Sequence, residues 1–538
     1  MASVLAIAAW LTTLGNPALW QQLWALPEVG GLRGARFVLG MGLFVLGALV
    51  AAFSLVAWPR VFKPLGVLLL LASAAATHFM LTYSAVIDST MLLNVLHTDA
   101  KEAGDLMSLR FALTLLLLGV LPAVWLWRHP MPPLRWGQRV WANLGLLVAG
   151  LLLAGLALVW VFQDFASVMR NHKQVRYLIN PLNTVYGLGK AAADTVPRAQ
   201  QTLQPIAQDV QLGSSYAQQP QPPLLVLVVG ETARAANFGL GGYARDTTPA
   251  LKALMTQGPG LLTHYPNVRS CGTNTQASVP CMFSHLGKTD FEDSQQHFEN
   301  LLDVLQRAGL AVVWIDNQSG CKGLCERIPN TETRDLKLPG VCDQGDCLDE
   351  VMIPAMEQAL QALPAERKAK GVVVVMHQMG SHGPAYFKRA PANQKVFLPE
   401  CTSTALQDCS REQVVNAYDN SIRYTDQFLD QTIAWLGRQR QSTALLYVSD
   451  HGESLGENNL YLHGLPYAIA PDTQKQVPMV TWLSPAMQQR LKLSPTCLSQ
   501  RAAQPLSHDN LFHSVLGLMD LNTQVHQPAL DVFASCKG

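Results

Sequence analysis

The chain has 538 residues and a formal net charge of +1, from 39 Lys and Arg against 38 Asp and Glu. That length allows more than one hydrophobic core, and the near-zero charge excludes a nucleic-acid binder working through a basic face. Charged residues make up 14% of the chain, against about 25% in a typical soluble domain. The deficit is uneven: 14 of the 77 lie in residues 1–163 and 63 in 164–538. Neither part has the charge-rich, apolar-poor make-up of a disordered chain.

In chain order, five stretches are long and apolar enough to span a bilayer, which takes about 20 residues. They are Ala2–Trp24, Phe37–Trp58, Pro64–Val86, Phe111–Trp127 and Val140–Phe162, none with an Asp, Glu, Lys or Arg. The first carries Asn16, Pro17, Gln21 and Gln22 and competes with a signal peptide. It lacks the basic start and small-residue cleavage site of one. Trp24, Trp58, Trp127, Trp141 and Trp160 stand at the ends, as interface anchors do. Arg60 and Lys63 follow span two, and Arg128, Arg135 and Arg139 follow span four, with no acid in either loop. Both loops therefore read as cytoplasmic. Five spans then place the N-terminus inside and everything after residue 163 outside.

Residues 164–222 read as an amphipathic bridge, with Arg170, His172, Lys173 and Arg176 among Val175, Tyr177, Leu178 and Ile179, followed by a Gln-, Pro- and Ser-rich linker over 204–223. A plain spacer explains the same composition. From residue 223 to the end, apolar runs at Leu224–Val229, Ala311–Ile315, Val372–Met376, Thr443–Val448 and Val477–Leu483 alternate with helix-like segments. This pattern predicts an α/β domain with a mostly parallel sheet covered on both faces. Such sheets bind ligands beyond the carboxyl ends of their strands. Polar clusters follow four of the runs: Gly230-Glu231-Thr232, Asp316-Asn317-Gln318, His377 to His382, and Ser449-Asp450-His451-Gly452-Glu453.

All ten cysteines lie after residue 270: Cys271, Cys281, Cys321, Cys325, Cys342, Cys347, Cys401, Cys409, Cys497 and Cys536. Their spacing lacks the paired C-x2-C of a zinc-thiolate site. An even number on the outer side predicts disulfides in an oxidising compartment. Neighbour pairing is the simplest connectivity, though spacing does not prove it.

Glu231, Asp450 and His451 form an oxygen–oxygen–nitrogen set that zinc accepts with a fourth position open. The Cys271–Cys281 loop encloses Thr273 and Thr275, with Ser278 as the other hydroxyl. A threonine needs a metal or base to become a nucleophile. A helix starting after Asn274 would also direct N–H groups at a phosphate. A stapled surface loop is the bland alternative. His382 and His463 lie in Gly-flanked turns, and Lys322 lies between Cys321 and Cys325. Taken singly, each is an ordinary solvated loop residue.

Together these residues resemble the lipid A phosphoethanolamine transferases, including the mobile colistin-resistance enzymes, within the alkaline-phosphatase-like superfamily. The resemblance runs from the five spans through Gly230-Glu231-Thr232, CGTNTQASVPCMFS (271–284), 316–323, HQMGSHGPAYFKR (377–389), SDHGESLGE (449–457), 467–471 and SHDNLFHSVLGL (507–518). The sulfatase nucleophile pattern C-x-P-S-R is absent. The Cys321/Cys325 pair looks more like the chromosomal branch than the mobile one.

The resemblance implies an N-terminal five-helix transmembrane bundle (1–163), the bridge (164–222) and a periplasmic alkaline phosphatase/sulfatase-like domain (223–538) on the bacterial inner membrane. It implies one tightly bound zinc on Glu231, Thr275, Asp450 and His451, with a second possible, and Thr275 rather than Thr273 as nucleophile. His382 and His463 would bind the phosphoryl group, a second zinc or the leaving group, one of them as proton donor. Ser319 and Lys322 would place the phosphoethanolamine. Asn94, Thr98 and Glu102, spaced i, i+4, i+8 on one helical face, match positions implicated in phosphatidylethanolamine binding. The expected reaction moves phosphoethanolamine from phosphatidylethanolamine to a lipid A phosphate, by way of Thr275, in a monomer that binds no nucleic acid. The added amine would weaken binding of polymyxins and other cationic peptides. A relative acting on a core sugar or periplasmic glucan, and a non-catalytic membrane sensor, are the competing expectations.

Overall fold

The computed structural model describes all residues except 28, 88–90, 93–94, 96–102, 105, 173, 191–201, 219–220 and 344–345. The expected helical face of Asn94, Thr98 and Glu102 lies outside the described residues. The packing divides the chain into two compact units that meet in sequence at Asp194 and Thr195.

The first unit is helical. Its longer helices are α1 (Ala2–Thr13), α2 (Pro17–Trp24), α3 (Gly31–Leu55), α4 (Pro59–Tyr83), α5 (Leu109–Arg128), α6 (Trp136–Trp160) and α7 (Phe162–Asn171). Among the described residues, four helices are long and apolar enough to cross a membrane, or five if α1 and α2 count as one span bent by 45°. The expected first span is thus broken, and Pro17 gives the reason. Its ring and missing N–H prevent the helix from continuing. Leu68, Leu151, Leu156 and Val159 point outward, a costly arrangement in water and the expected one in lipid.

The bend is pinned by a buried polar network. Asn16 donates to the carbonyls of Leu11 (2.7 Å) and Asn180 (2.5 Å), and the Asn180 amide returns a bond to Asn16 Oδ1 (2.8 Å). Asn180 Nδ2 donates to the Ser73 hydroxyl (2.9 Å) on α4, and Thr77 donates to Gly15 (3.0 Å). Asp164 on α7 pairs with Arg33 (2.6 Å) and Arg36 (3.4 Å) of α3. The segment read as a bridge therefore packs into the first unit beyond residue 180, where Asn183 donates to the Ile87 carbonyl (2.5 Å).

The second unit is built on a sheet of strands β1 (Leu224–Gly230), β2 (Leu262–Arg269), β3 (Ala311–Asp316), β4 (Asn330–Glu332), β5 (Val372–His377), β6 (Thr443–Ser449), β7 (Gln476–Leu483) and β8 (Leu506–Ser507). The order is β8-β2-β7-β6-β1-β5-β3-β4, with β7 alone running against its neighbours. Leu225, Leu227 and Val229 of β1 enter one core, and Leu224, Val226 and Val228 the other. Each fully buried Leu or Val contributes roughly 1.5–3 kcal/mol. Helices α9 (Leu301–Arg307) and α12 (Asp509–Leu518) cover the first face; α10 (Met352–Ala362) and α11 (Arg411–Gly437) cover the second.

All five expected runs are strands. Strand β2 was not among them, because Pro266 interrupts its apolar pattern. The register of β2 against β7 shifts between Val477 and Met479, where Pro266 and Asn267 face Pro478. A bulge is where a strand tolerates residues without an N–H. The stretch expected as a linker over 204–223 also differs. Gln204 bonds His297 and Glu299, Gln211–Leu212 pair with Leu521–Asn522, and Ile206 is buried in the core.

Among the described residues the ten cysteines form five disulfides: Cys271–Cys281, Cys321–Cys325, Cys342–Cys347, Cys401–Cys409 and Cys497–Cys536.

Candidate active site

Parallel register brings the strand ends together. Val229 pairs with His377, Gly230 with Ser449, and Asp316 with His377. Glu231, Asp316, His377 and Asp450 therefore share one edge of the sheet. Strand β2 runs the same way and feeds Ser270 to Asn274 toward that edge. Helix α8 (Thr275–Met282) begins there, with the Asn274 side chain capping it by accepting from the Ala277 amide (2.9 Å).

The hydroxyl of Thr275 donates toward Glu231 at 3.1 Å to Oε2 and 3.3 Å to Oε1, and lies 3.5 Å from His451 Nε2. His451 Nε2 is 3.2 Å from Glu231 Oε1 and 3.3 Å from Asp450 Oδ2. One ligand atom each from Glu231, Asp450 and His451 falls within 4.8 Å of the others, and all three residues are buried. Thr275 is buried as well.

The surroundings fix the orientation of these groups. His451 Nδ1 donates to the Gly452 carbonyl (2.9 Å), which fixes the ring so that Nε2 faces the carboxylates. Thr232, at φ 61°, donates from its hydroxyl to Glu231 Oε1 (2.6 Å) and from its amide to Asp450 Oδ1 (3.1 Å). Asp450 Oδ2 has no hydrogen-bond partner among the described residues.

A buried acceptor without a donor is costly, and the cost disappears if a cation lies there. Burial alone would lower the His451 imidazole, but the Asp450 and Glu231 carboxylates outweigh it and raise it to about 10. Burial and the charge of Glu231 push Asp450 up to about 6. Burial opposes ionisation of Glu231 too, yet the bond to His451 and its charge hold that carboxyl far below its ordinary range. The three buried groups lie close enough together that they could hold a metal ion, and two carboxylates and one imidazole are ligand types that zinc takes.

His463 lies beside His451 at 4.3 Å between ring centroids, its ring tilted by 46°, and His382 lies 5.6 Å from His463. Glu453 holds His463 Nδ1 at 3.3 Å. Burial and the charge of His451 lower the His463 imidazole. The loop carrying His382 is set by Gly380, whose amide donates to Asp349 (2.9 Å), and by the Ser381 amide, which donates to the Glu231 carbonyl (3.0 Å). Lys322 donates to the Ser319 hydroxyl (2.7 Å) and carbonyl (3.1 Å). It lines a cavity of about 230 Å³ together with Gln276, the residue after Thr275.

A family model described as Phosphoethanolamine transferase EptA/EptB matches residues 45–196, and one described as Sulfatase matches 223–521. The chain is 38% identical to phosphoethanolamine transferase EptA of Salmonella typhimurium, over 99% of this chain and 98% of that protein. The chain belongs to the EptA family of phosphoethanolamine transferases.

It is also 35% identical to phosphatidylethanolamine transferase Mcr-1 of Escherichia coli, covering 96% of this chain and 94% of that one. The solved structure of the integral membrane protein lipooligosaccharide phosphoethanolamine transferase A from Neisseria meningitidis matches with a TM-score of 0.93 at 37% identity. That match covers 100% of this chain and 99% of the other. The second unit has the sulfatase and alkaline-phosphatase-like fold.

His377 was not among the expected site residues. Its Nδ1 bonds Asp316 (3.1 Å), its Nε2 faces Glu231 Oε2 at 3.9 Å without a hydrogen-bond partner among the described residues, and it is fully buried. Burial would lower its imidazole; the Asp316 charge and hydrogen bond raise it instead. Its position as the last residue of an otherwise apolar strand was the available signal. Glu453 and Thr232 were visible only as members of polar clusters, since their roles depend on backbone turns.

Proposed function

We propose that this transferase moves phosphoethanolamine from phosphatidylethanolamine to a phosphate of lipid A by way of a covalent phosphoethanolamine–Thr275 intermediate. The reading rests chiefly on one observation: a buried threonine hydroxyl stands at the first turn of α8, 3.1 Å from Glu231 and 3.5 Å from His451. Few other reasons place a threonine hydroxyl among two carboxylates and an imidazole.

Glu231, Asp450, His451 and Thr275 would hold zinc. When bound, it would lower the pKa of the Thr275 hydroxyl and offset charge on phosphoryl oxygens. The protein's own groups do the rest. Glu231 orients the Thr275 hydroxyl, which loses its proton to water once its pKa is lowered. Oγ1 attacks phosphorus, the Oγ1–P bond forms, and the P–O bond to diacylglycerol breaks. His382 or His463 would donate a proton to the departing oxygen. An oxygen of the lipid A phosphate then attacks the same phosphorus and frees Thr275. The start of α8 adds its positive dipole end at the reacting phosphate. Ser319 and Lys322 bind the phosphoethanolamine.

The second unit lies in the periplasm, where the five disulfides are stable, and the helical unit holds it to the inner membrane beside both lipids. The transferred amine replaces part of the negative charge on the outer surface and lowers its affinity for polymyxins. Expression in a polymyxin-sensitive bacterium, followed by mass spectrometry of intact lipid A, tests this reading. Phosphoethanolamine-bearing lipid A is expected with the wild type and absent with Thr275→Ala. Addition to core sugars or glucan alone refutes the acceptor.

A further inference from the structure

The nucleophile and its carboxylate partners come from strands that do not touch. In the sheet order, β7 separates β2, which leads to Thr275, from β6, which leads to Asp450 and His451. No ladder hydrogen bond therefore sets the register between the two segments, and β7 meets β2 through a register shift. Something else must fix a spacing that the chemistry needs to a fraction of an ångström.

His508 lies between β8 and α12 and is 1% exposed. Its own amide donates to the Arg269 carbonyl at the end of β2 (2.9 Å). Its Nδ1 accepts from the Cys271 amide (3.0 Å), and its Nε2 donates to the Ser449 carbonyl (2.9 Å). An amide can only donate and a carbonyl can only accept, so the two backbone groups dictate one neutral tautomer with the proton on Nε2. One imidazole thus spans the gap between the loop that begins at Cys271 and the strand end just before Asp450. The Ser278 hydroxyl, 3.2 Å from the same Nδ1, bonds the Asp450 carbonyl and runs alongside this bridge.

We propose that His508 is a positioning residue for the transfer, setting the register of the Thr275 loop against the segment bearing Asp450 and His451. It touches neither substrate nor the metal-binding groups. The proposal rests on the reading of Thr275 as nucleophile, and the experiment separates the two.

The test uses H508N, H508Q and T275A in the full-length protein in detergent, with phosphatidylethanolamine as donor. Asn places an acceptor where Nδ1 stands and keeps the Cys271 bond. Gln reaches the Ser449 carbonyl and leaves Cys271 without an acceptor. Each variant keeps one end of the bridge and cuts the other, so with kcat referred to the folded, metal-loaded fraction both are expected down about 100-fold, the scale of an ångström misplacement. Donor KM stays near the wild-type value in both, and the two melting temperatures fall alike. Hydrogen exchange of the 270–276 segment quickens in H508Q and not in H508N. A kcat within about tenfold of wild type in either variant, a kcat loss matched by a rise in donor KM, or equal exchange in the two overturns the proposal. If T275A is inactive and both His508 variants match wild type, positioning alone fails. If T275A turns over, the nucleophile assignment fails with it.

Discussion

Gly380 is the position where a single methyl group should disturb the site most cleanly. Its φ is +52°, and a Cβ added there would lie 2.6 Å from the Glu231 carbonyl oxygen. Ordinary contact begins near 3.4 Å, so the shortfall is 3.4 minus 2.6, or 0.8 Å. Glu231 cannot yield, because β1 is held between β5 and β6. The 380–382 loop must move instead, with the Ser381 bond to Glu231 and the His382 imidazole. Left-handed backbone costs a non-glycine residue about 1–2 kcal/mol, and relieving the overlap adds about 1–3 kcal/mol. A shift near 1 Å at reacting groups costs on the order of 100-fold in rate.

Gly380→Ala should therefore lower kcat by between ten- and a hundredfold, on the order of that misplacement cost. Gly242→Ala is the control: φ is +92° and nothing lies within 4 Å of an added Cβ, so it carries the backbone cost without the collision. The assay is transfer of a labelled headgroup by purified full-length protein, beside thermal unfolding. If Gly380→Ala keeps the same kcat as Gly242→Ala, the Gly380 loop does not position the site.

Replacing His451 with Ala should reduce bound zinc from about one per chain to a trace, read by elemental analysis of the purified protein; stoichiometric zinc in the variant would contradict the ligand set. Burial lowers His264, His508 and His513 to about 4, against an ordinary value of 6.5. Folded-state values below the unfolded ones mean stability present above pH 6.5 and lost as pH falls toward 4, by up to about 1.4 kcal/mol per pH unit for each group. Burial raises Asp426 to about 7, which works the other way, so the test is by difference: melting temperature should fall less from pH 7 to pH 5 in His513→Asn than in wild type, and an unchanged fall would refute this. Asn180→Ala leaves Asn16 its backbone partners but strands the hydroxyls of Ser73 and Thr184 in the helical unit and should cost about 1–3 kcal/mol, checked by thermal unfolding in detergent.

Much of this was legible in the sequence for physical reasons. Lipid excludes charge, so the spans stood out, and a sheet covered on both faces needs unbroken apolar strands, so five of its strands did too. Parallel strands end at one edge, which made Glu231, Asp450 and His451 a candidate set before any coordinates. The break at Pro17 and the strand holding Pro266 were obscured because proline's effect depends on what lies opposite. The contacts of Ile206 and Asn180 join residues distant in sequence, and composition cannot report them. His377 and His508 were passed over because a histidine at a strand end or helix start takes its role from partners brought by the fold.

The central claim is that Thr275 carries the phosphoethanolamine between donor and acceptor. Its most direct test is mass spectrometry of the Thr275 peptide after the protein meets phosphatidylethanolamine without lipid A. A phosphoethanolamine adduct on Thr275, discharged on adding lipid A, is the predicted result. Headgroup transfer proceeding with no adduct, or with the adduct on another residue, would contradict it.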